Sequence, residues 1–286
     1  MNLPENVNLP FFAYGTFKPK QLGFYRIANC VERVETDCLI SGDLLVRDGL
    51  PIVDEEGKSE VKGSLIFFKS NDSGKAYERI IGIEPDKHYR WGVTNVHNVN
   101  DDAQANVLYG RAPQKGSIRI KDSEDSDVWD GSKDPLFTSA LEVVKETLEQ
   151  NSEFDWDLKS LFRLQMAYLL LWSSIERYVS LRYHLGNNVT GKIANLSGED
   201  EFSQSLKDVV TESRYVFRAD RPIEKETLDS SDPKKSLNYY YQVRSNLTHR
   251  GKSAHNDFKI IKSSLEELFE IFVRVKDKAF SSDDFS

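Results

Sequence analysis

The stretch Tyr239-Tyr-Tyr-Gln-Val-Arg244-Ser-Asn246-Leu-Thr-His249-Arg250-Gly251-Lys252 holds side chains whose types suit phosphodiester chemistry. A guanidinium such as Arg244 can hold a phosphate. An imidazole such as His249 titrates near neutrality and can take a proton from a ribose 2′-OH, with no metal required. Arg250 and Lys252 add positive charge beside His249. Arg244 and His249 are five residues apart, about 500° of helical rotation and about 140° net, so an intact helix does not stack them. Their convergence requires the helix to end between them, and Gly251 is the expected stop. The plain structural alternative pairs Arg244 with a bundle acid such as Glu176 and leaves His249 to cap the last turn.

A second stretch, Phe11-Phe-Ala-Tyr14-Gly15-Thr16-Phe17, reads as a strand ending in a glycine turn. Gly15 can let successive backbone N–H groups face an anion or a carbonyl oxygen. A strand followed by an ordinary turn is the plain alternative.

The elements that must position these groups change period along the chain. Upstream, short apolar runs bounded by Gly, Pro, Asn and Asp predict strands at Phe11–Tyr14, Cys38–Val46, Val61–Phe68, Trp91–Val96 and Asn106–Tyr109. Such runs suggest a small mixed β-barrel or strongly curved sheet, interrupted by a helix at Ser73–Ile81. Downstream the spacing is helical. Helices are predicted from Phe137 to Leu148, Leu158 to Leu185, Phe202 to Phe217, Asn238 to Thr248 and Phe258 to Lys276, with a loop between Ala219 and Ser236. The second of these is apolar nearly all round at its centre and is expected to be the buried axis of the bundle. The segment 121–135 holds six acidic and two basic residues and has the composition of a solvated linker. The expected organisation is therefore an α+β protein in two domains. A β-rich domain covers 1–120, the acidic linker 121–135, and an all-α helical bundle 136–286.

Further ordered pieces follow the first glycine turn: Gly42-Asp-Leu-Leu, Gly49-Leu-Pro51, Val61-Lys-Gly63-Ser, then Tyr77-Glu-Arg-Ile-Ile-Gly-Ile-Glu84-Pro-Asp-Lys-His-Tyr89. Over about residues 9–115 this order resembles the gamma-glutamylcyclotransferase-like family. The resemblance implies cyclisation chemistry. Glu84 is then the general acid/base that takes a proton from a substrate α-amine, which attacks its own γ-carbonyl and releases 5-oxoproline. The turn Tyr14, Gly15, Thr16 and Phe17 and the phenol of Tyr89 are then the substrate-binding groups. The chain departs from the family pattern at Phe17 (usually Leu), Pro85 (usually Gly) and Ile81 (commonly Asp).

Over about residues 136–278 the chain resembles the HEPN superfamily of helical bundles. The signature of that superfamily is an Arg followed by four to six residues and a His, and Arg244-Ser-Asn-Leu-Thr-His249 has that spacing. The resemblance implies a metal-independent endoribonuclease acting as a homodimer, of the kind found in bacterial toxins and defence systems. Arg244 would then bind phosphate and His249 act as base, with Glu176, Asn246 and Arg250 in support. Ser245 stands where a polar Asn often follows the Arg.

Composition limits the remaining classes. The chain has 286 residues and a net charge of −8, which argues against a generally basic nucleic-acid coat. The longest dense apolar run, Ala167 to Trp172, is too short to cross a bilayer. No secretory signal is read at the N-terminus, and the only cysteines, Cys30 and Cys38, read as reduced cytosolic thiols, so the expected location is cytoplasmic. No clustered Cys/His set and no phosphate-binding glycine motif appears, so neither a metal nor a nucleotide cofactor is expected. The expected partners are RNA and a small γ-glutamyl-type ligand, with no membrane. Three functions remain: a ribonuclease with a sensing or modifying N-terminal domain, a cyclotransferase with a dimerising bundle, or a pair of non-catalytic binding modules.

Overall fold

The computed structural model describes residues 1–84, 86–97, 103–119, 128–184, 189–218, 220–221, 223–249 and 255–281. The chain divides into two compact units, one of Met1–Asp134 with Phe280–Ser286 and one of Pro135–Ala279. It is mixed α+β, with most strands in the first unit and most helices in the second. No helix among the described residues is long and apolar enough to cross a membrane.

The first unit contains β1 (Phe11–Ala13), β2 (Val31–Ser41), β3 (Asp43–Arg47), β4 (Leu50–Asp54), β5 (Glu60–Phe68), α1 (Ser73–Ile81), β6 (Tyr89–Val96), β7 (Ala103–Gly110) and β8 (Ile118–Arg119). Five strands form one sheet in the order β2-β5-β1-β7-β6, and three form another in the order β4-β3-β8. β1 runs antiparallel to β5 and parallel to β7. The barrel expectation gives way to two sheets, and among the described residues there is no closed barrel. The run read as one strand over Cys38–Val46 is broken at Gly42, whose φ is +150°. A Cβ there would stand 2.9 Å from the Asp54 carbonyl oxygen, so the chain can turn only where the side chain is missing. β3 and β4 are joined through Asp48-Gly49, both at positive φ, the requirement of a tight two-residue hairpin.

Alternation along β1 sends Phe11 into one apolar cluster with Phe24, Ile66, Tyr77 and Ile80. Phe12 enters a second cluster with Ile40, Val53, Val61, Val107 and Trp129. Trp129 belongs to the segment whose composition reads as linker, of which 121–127 lie outside the described residues. Its indole donates to the Gly49 carbonyl at 3.2 Å, and the Lys18 amine donates to the Trp129 carbonyl at 2.6 Å.

The second unit contains α2 (Ser139–Gln150), α3 (Lys159–Tyr183), α4 (Val189–Leu196), α5 (Asp200–Val209), β9 (Arg214–Phe217), β10 (Lys225–Leu228), α6 (Pro233–His249) and α7 (His255–Ser281). The all-α expectation is corrected by the β9–β10 hairpin. It ends the helix predicted to reach Phe217 at Val209 and replaces part of the predicted loop. Arg214-Tyr-Val-Phe217 alternates in period 2, and Arg218 ties the hairpin by ion pairs to Asp220, Glu224 and Glu226. α3 buries Leu164, Ala167, Tyr168, Leu171, Trp172 and Ile175 at helical spacing but leaves Met166 72% exposed, so one side of it is open. Under α6 lies a polar knot. The Arg214 guanidinium makes a two-pronged ion pair with Glu267, Tyr240 donates to Glu267 at 2.9 Å, and Tyr239 bonds Ser264 at 3.2 Å.

Candidate functional site

In the first unit, the six candidate site residues read from the sequence line one small pocket. Tyr14, Gly15, Thr16, Phe17, Glu84 and Tyr89 meet there, joined by Leu50, Pro51 and Leu108. The glycine turn that ends β1 is closed by the Lys18 N–H on the Gly15 carbonyl at 3.0 Å. Pro51 of β4 lies against it: a Cβ at Gly15 would stand 2.5 Å from the Pro51 Cγ. The glycine turn and the Gly49-Leu-Pro51 element, distant in sequence, are therefore packed together.

The two phenols are fixed. Tyr14 donates to the Leu108 carbonyl at 2.5 Å and Tyr89 to the Pro51 carbonyl at 2.9 Å. Burial raises the pKa of both, helped by Tyr89 and then Glu84 at Tyr14 and by Glu84 at Tyr89, so they stay protonated donors at any working pH. Glu84 lies just past the end of α1, its N–H on the Ile80 carbonyl at 3.0 Å. Burial pushes its carboxyl up to about 7. None of the described residues lining the pocket is cationic, so nothing there offsets the loss of water around the charge. The negative end of α1 acts in the same direction. The result is a carboxyl that can both accept and give a proton near neutrality. The pocket encloses about 30 Å³, room for a water molecule, so a glutamyl group requires it to widen.

In the second unit, Arg244 of α6 meets Glu176 of α3 at 3.8 Å, and its guanidinium lies 5.9 Å from the Tyr241 ring centre. The α6 helix does not end between Arg244 and His249 as expected; it continues to His249. No Gly or Pro intervenes, and the Thr248 hydroxyl returns to the Ser245 carbonyl at 3.0 Å, within the turn. The side chain of His249, and Arg250 altogether, lie outside the described residues. Asn246 accepts from Gln242 at 2.9 Å and donates to the Phe217 carbonyl at 2.9 Å, so its amide fastens β9 to α6. Tyr239 and Tyr240 are fully buried, as packing residues are.

Sequence reasoning did not single out the backbone acceptors Leu108 and Pro51 that hold the two phenols. A backbone carbonyl carries no residue signature, although the Gly49-Leu-Pro51 element was a visible marker. Compared with protein-family models, curated proteins and solved structures, the chain matches none.

Proposed function

We propose that the first unit is a proton-transfer pocket for intramolecular amide cleavage, with Glu84 as general acid/base. The observation that carries this reading is a buried carboxyl whose pKa is pushed up to about 7, set against the Tyr14-Gly15-Thr16-Phe17 turn. The ionised carboxylate takes a proton from the substrate α-amine. The amine attacks the γ-carbonyl, and the protonated carboxyl returns the proton to the leaving amine. Backbone N–H groups of the turn support the developing oxyanion, and the phenols of Tyr14 and Tyr89, held by the Leu108 and Pro51 carbonyls, shape the pocket around it. This agrees with the resemblance to gamma-glutamylcyclotransferases and with a γ-glutamyl compound as substrate. Incubation with a panel of γ-glutamyl compounds tests it: 5-oxoproline release by wild type and none by Glu84→Gln is the expected result. No turnover of any member of the panel removes the reading.

A second chemistry is proposed for the other unit, metal-independent RNA cleavage by Arg244 and His249. The specific observation in its favour is an Arg244 guanidinium still partly open to solvent, on the same two turns of α6 as His249 and beside Glu176. A single helix running through both residues turns them about 140° apart, so a shared cleft would draw on a second copy of the chain. The test is cleavage of labelled RNA in EDTA. Wild type is expected to leave 2′,3′-cyclic phosphate ends, and His249→Ala to leave the RNA intact. Equal cleavage by the variant removes this reading.

A further inference from the structure

The β9–β10 hairpin shows an aromatic face that neither proposed chemistry uses. Its register sets Thr227 opposite Tyr215 and Lys225 opposite Phe217. Alternation therefore turns Tyr215, Phe217 and Lys225 to one side, and Arg214 and Val216 to the other. The inner side is filled: Val216 is buried and Arg214 joins Glu267. On the outer side Tyr215 is 49% and Phe217 40% exposed. Their rings meet edge to face at 5.6 Å, and the Lys225 amine lies 3.9 Å from the centre of the Tyr215 ring.

These two rings line a cavity of about 620 Å³, in the size range of small-molecule sites. Leu247 and Ile260 add apolar wall, and Lys259 and Asp257 supply charge. The cavity is also tied to the Arg244 helix, because Asn246, two residues after Arg244, holds the Phe217 carbonyl at 2.9 Å. A flat apolar ligand finds ring surface here. A negatively charged group on that ligand finds Lys259 beside Asp257 on the wall, and Lys225 at the Tyr215 ring outside the cavity lining.

We propose that Tyr215 and Phe217 form a stacking platform for a nucleobase of single-stranded RNA, with Lys225 and Lys259 on its phosphates. The inference rests on the ribonuclease reading and deepens it. Arg244 would hold one phosphate while the platform holds a base near it. Stacking on aromatic rings accepts any base, so binding is expected to depend on the presence of bases and little on their sequence.

The experiment uses the full chain and a fluorescein-labelled 2′-O-methyl oligonucleotide, which cannot be cut through its 2′-OH. Binding is read by anisotropy at fixed salt, beside a strand of equal length whose central nucleotides are abasic. Wild type is expected to bind the intact strand about tenfold more tightly than the abasic one. Tyr215→Leu/Phe217→Leu keeps apolar bulk but loses the ring faces, and is expected to bind both strands alike, at the weaker level. Mononucleotide competition separates the sources of the base. A platform for RNA is displaced by a second strand far more readily than by AMP, whereas equal displacement assigns the site to free nucleotides and overturns the proposal. Equal binding of intact and abasic strands by wild type, or no binding of either, also overturns it. None of these readings needs cleavage, so loss of the ribonuclease reading in the His249→Ala experiment is a separate result.

Discussion

Gly15 and Pro51 are in close contact at the first pocket, with no room for a Cβ on the glycine: it would stand 2.5 Å from the Pro51 Cγ. Gly15→Ala must therefore push β4 or the turn outward. The expected loss is about 1–3 kcal/mol in urea unfolding, the usual range for forcing a methyl group into packed surroundings. Pro51→Ala removes the opposing ring atom. In the double variant the Gly15→Ala penalty should fall by about half or more. Strictly additive losses would show that the two residues do not press on each other.

Glu84 makes stability depend on pH in an unusual direction for a carboxylate. Its folded pKa of about 7 lies above the ordinary value of 4.5, so between those pH values the folded chain holds more proton than the unfolded chain. Stability then falls as pH rises from 4.5 to 7 and is level on either side. Glu84→Gln removes the buried charge. It should match wild type at pH 4 and exceed it at pH 8 by on the order of 2 kcal/mol, partial exposure of the residue allowed for. Thermal unfolding of both proteins across that range measures the difference, and a pH-independent gap would mean that the carboxyl stays hydrated.

The same titration governs the proposed reaction. A base must be ionised to take the amine proton, so kcat/KM for 5-oxoproline release should rise through about pH 7, following the Glu84 carboxyl. The Tyr14 and Tyr89 phenols stay protonated throughout, because burial raises both. Tyr89→Phe should lower the rate by about tenfold or less and leave the midpoint near 7. A midpoint near 4.5 would indicate a base other than buried Glu84.

Much of the first unit is legible because its elements carry strong local signals. Ala76, Tyr77 and Ile80 set the buried face of α1, and its observed range, Ser73–Ile81, is the one the spacing predicts. The order of the glycine, proline and glutamate elements pointed to residues that the fold brings into one pocket. The β9–β10 hairpin was hidden because Arg218, Asp220, Arg221 and Glu224 give it the composition of a polar loop. The loop that joins its strands is held by ion pairs of Arg218 with Glu226 and of Arg221 with Glu224, which no hydrophobic period reveals. Trp129 was hidden in the same way: six acids surround it in 121–135, yet its ring is buried among Ile40, Val53 and Val107. The helix that carries Arg244 is legible almost to its end: the spacing predicts Asn238–Thr248 and α6 spans Pro233–His249, because the Ser-Asn-Leu-Thr after Arg244 sustains it.

The Arg214–Glu267 pair joins β9 to α7 with both partners largely buried, their side chains 23% and 13% exposed. Glu267→Gln leaves the Arg214 cation without its counter-charge and a single neutral oxygen to accept from both Arg214 and Tyr240. The expected cost is about 2–4 kcal/mol. Tyr240→Phe deletes one hydrogen bond and keeps the ring, and should cost about 1 kcal/mol. Chemical denaturation of the two variants gives the ranking, and the reverse order would place the weight of this knot on the phenol.

Arg244 is paired with the Glu176 carboxylate, and in the proposed ribonuclease an incoming phosphate would compete for it. The carboxylate is 3.8 Å away with its side chain 42% exposed, so its hold is that of a hydrated ion pair, about 1 kcal/mol. A phosphate displaces it at that cost. Glu176→Gln should therefore tighten binding of an uncuttable RNA strand by about fivefold, and Arg244→Gln should weaken it and reduce the slope of log affinity against log salt by about one. If Glu176→Gln instead weakens binding, the carboxylate positions Arg244 for the phosphate rather than competing with it, and Glu176→Asp should then restore part of the affinity.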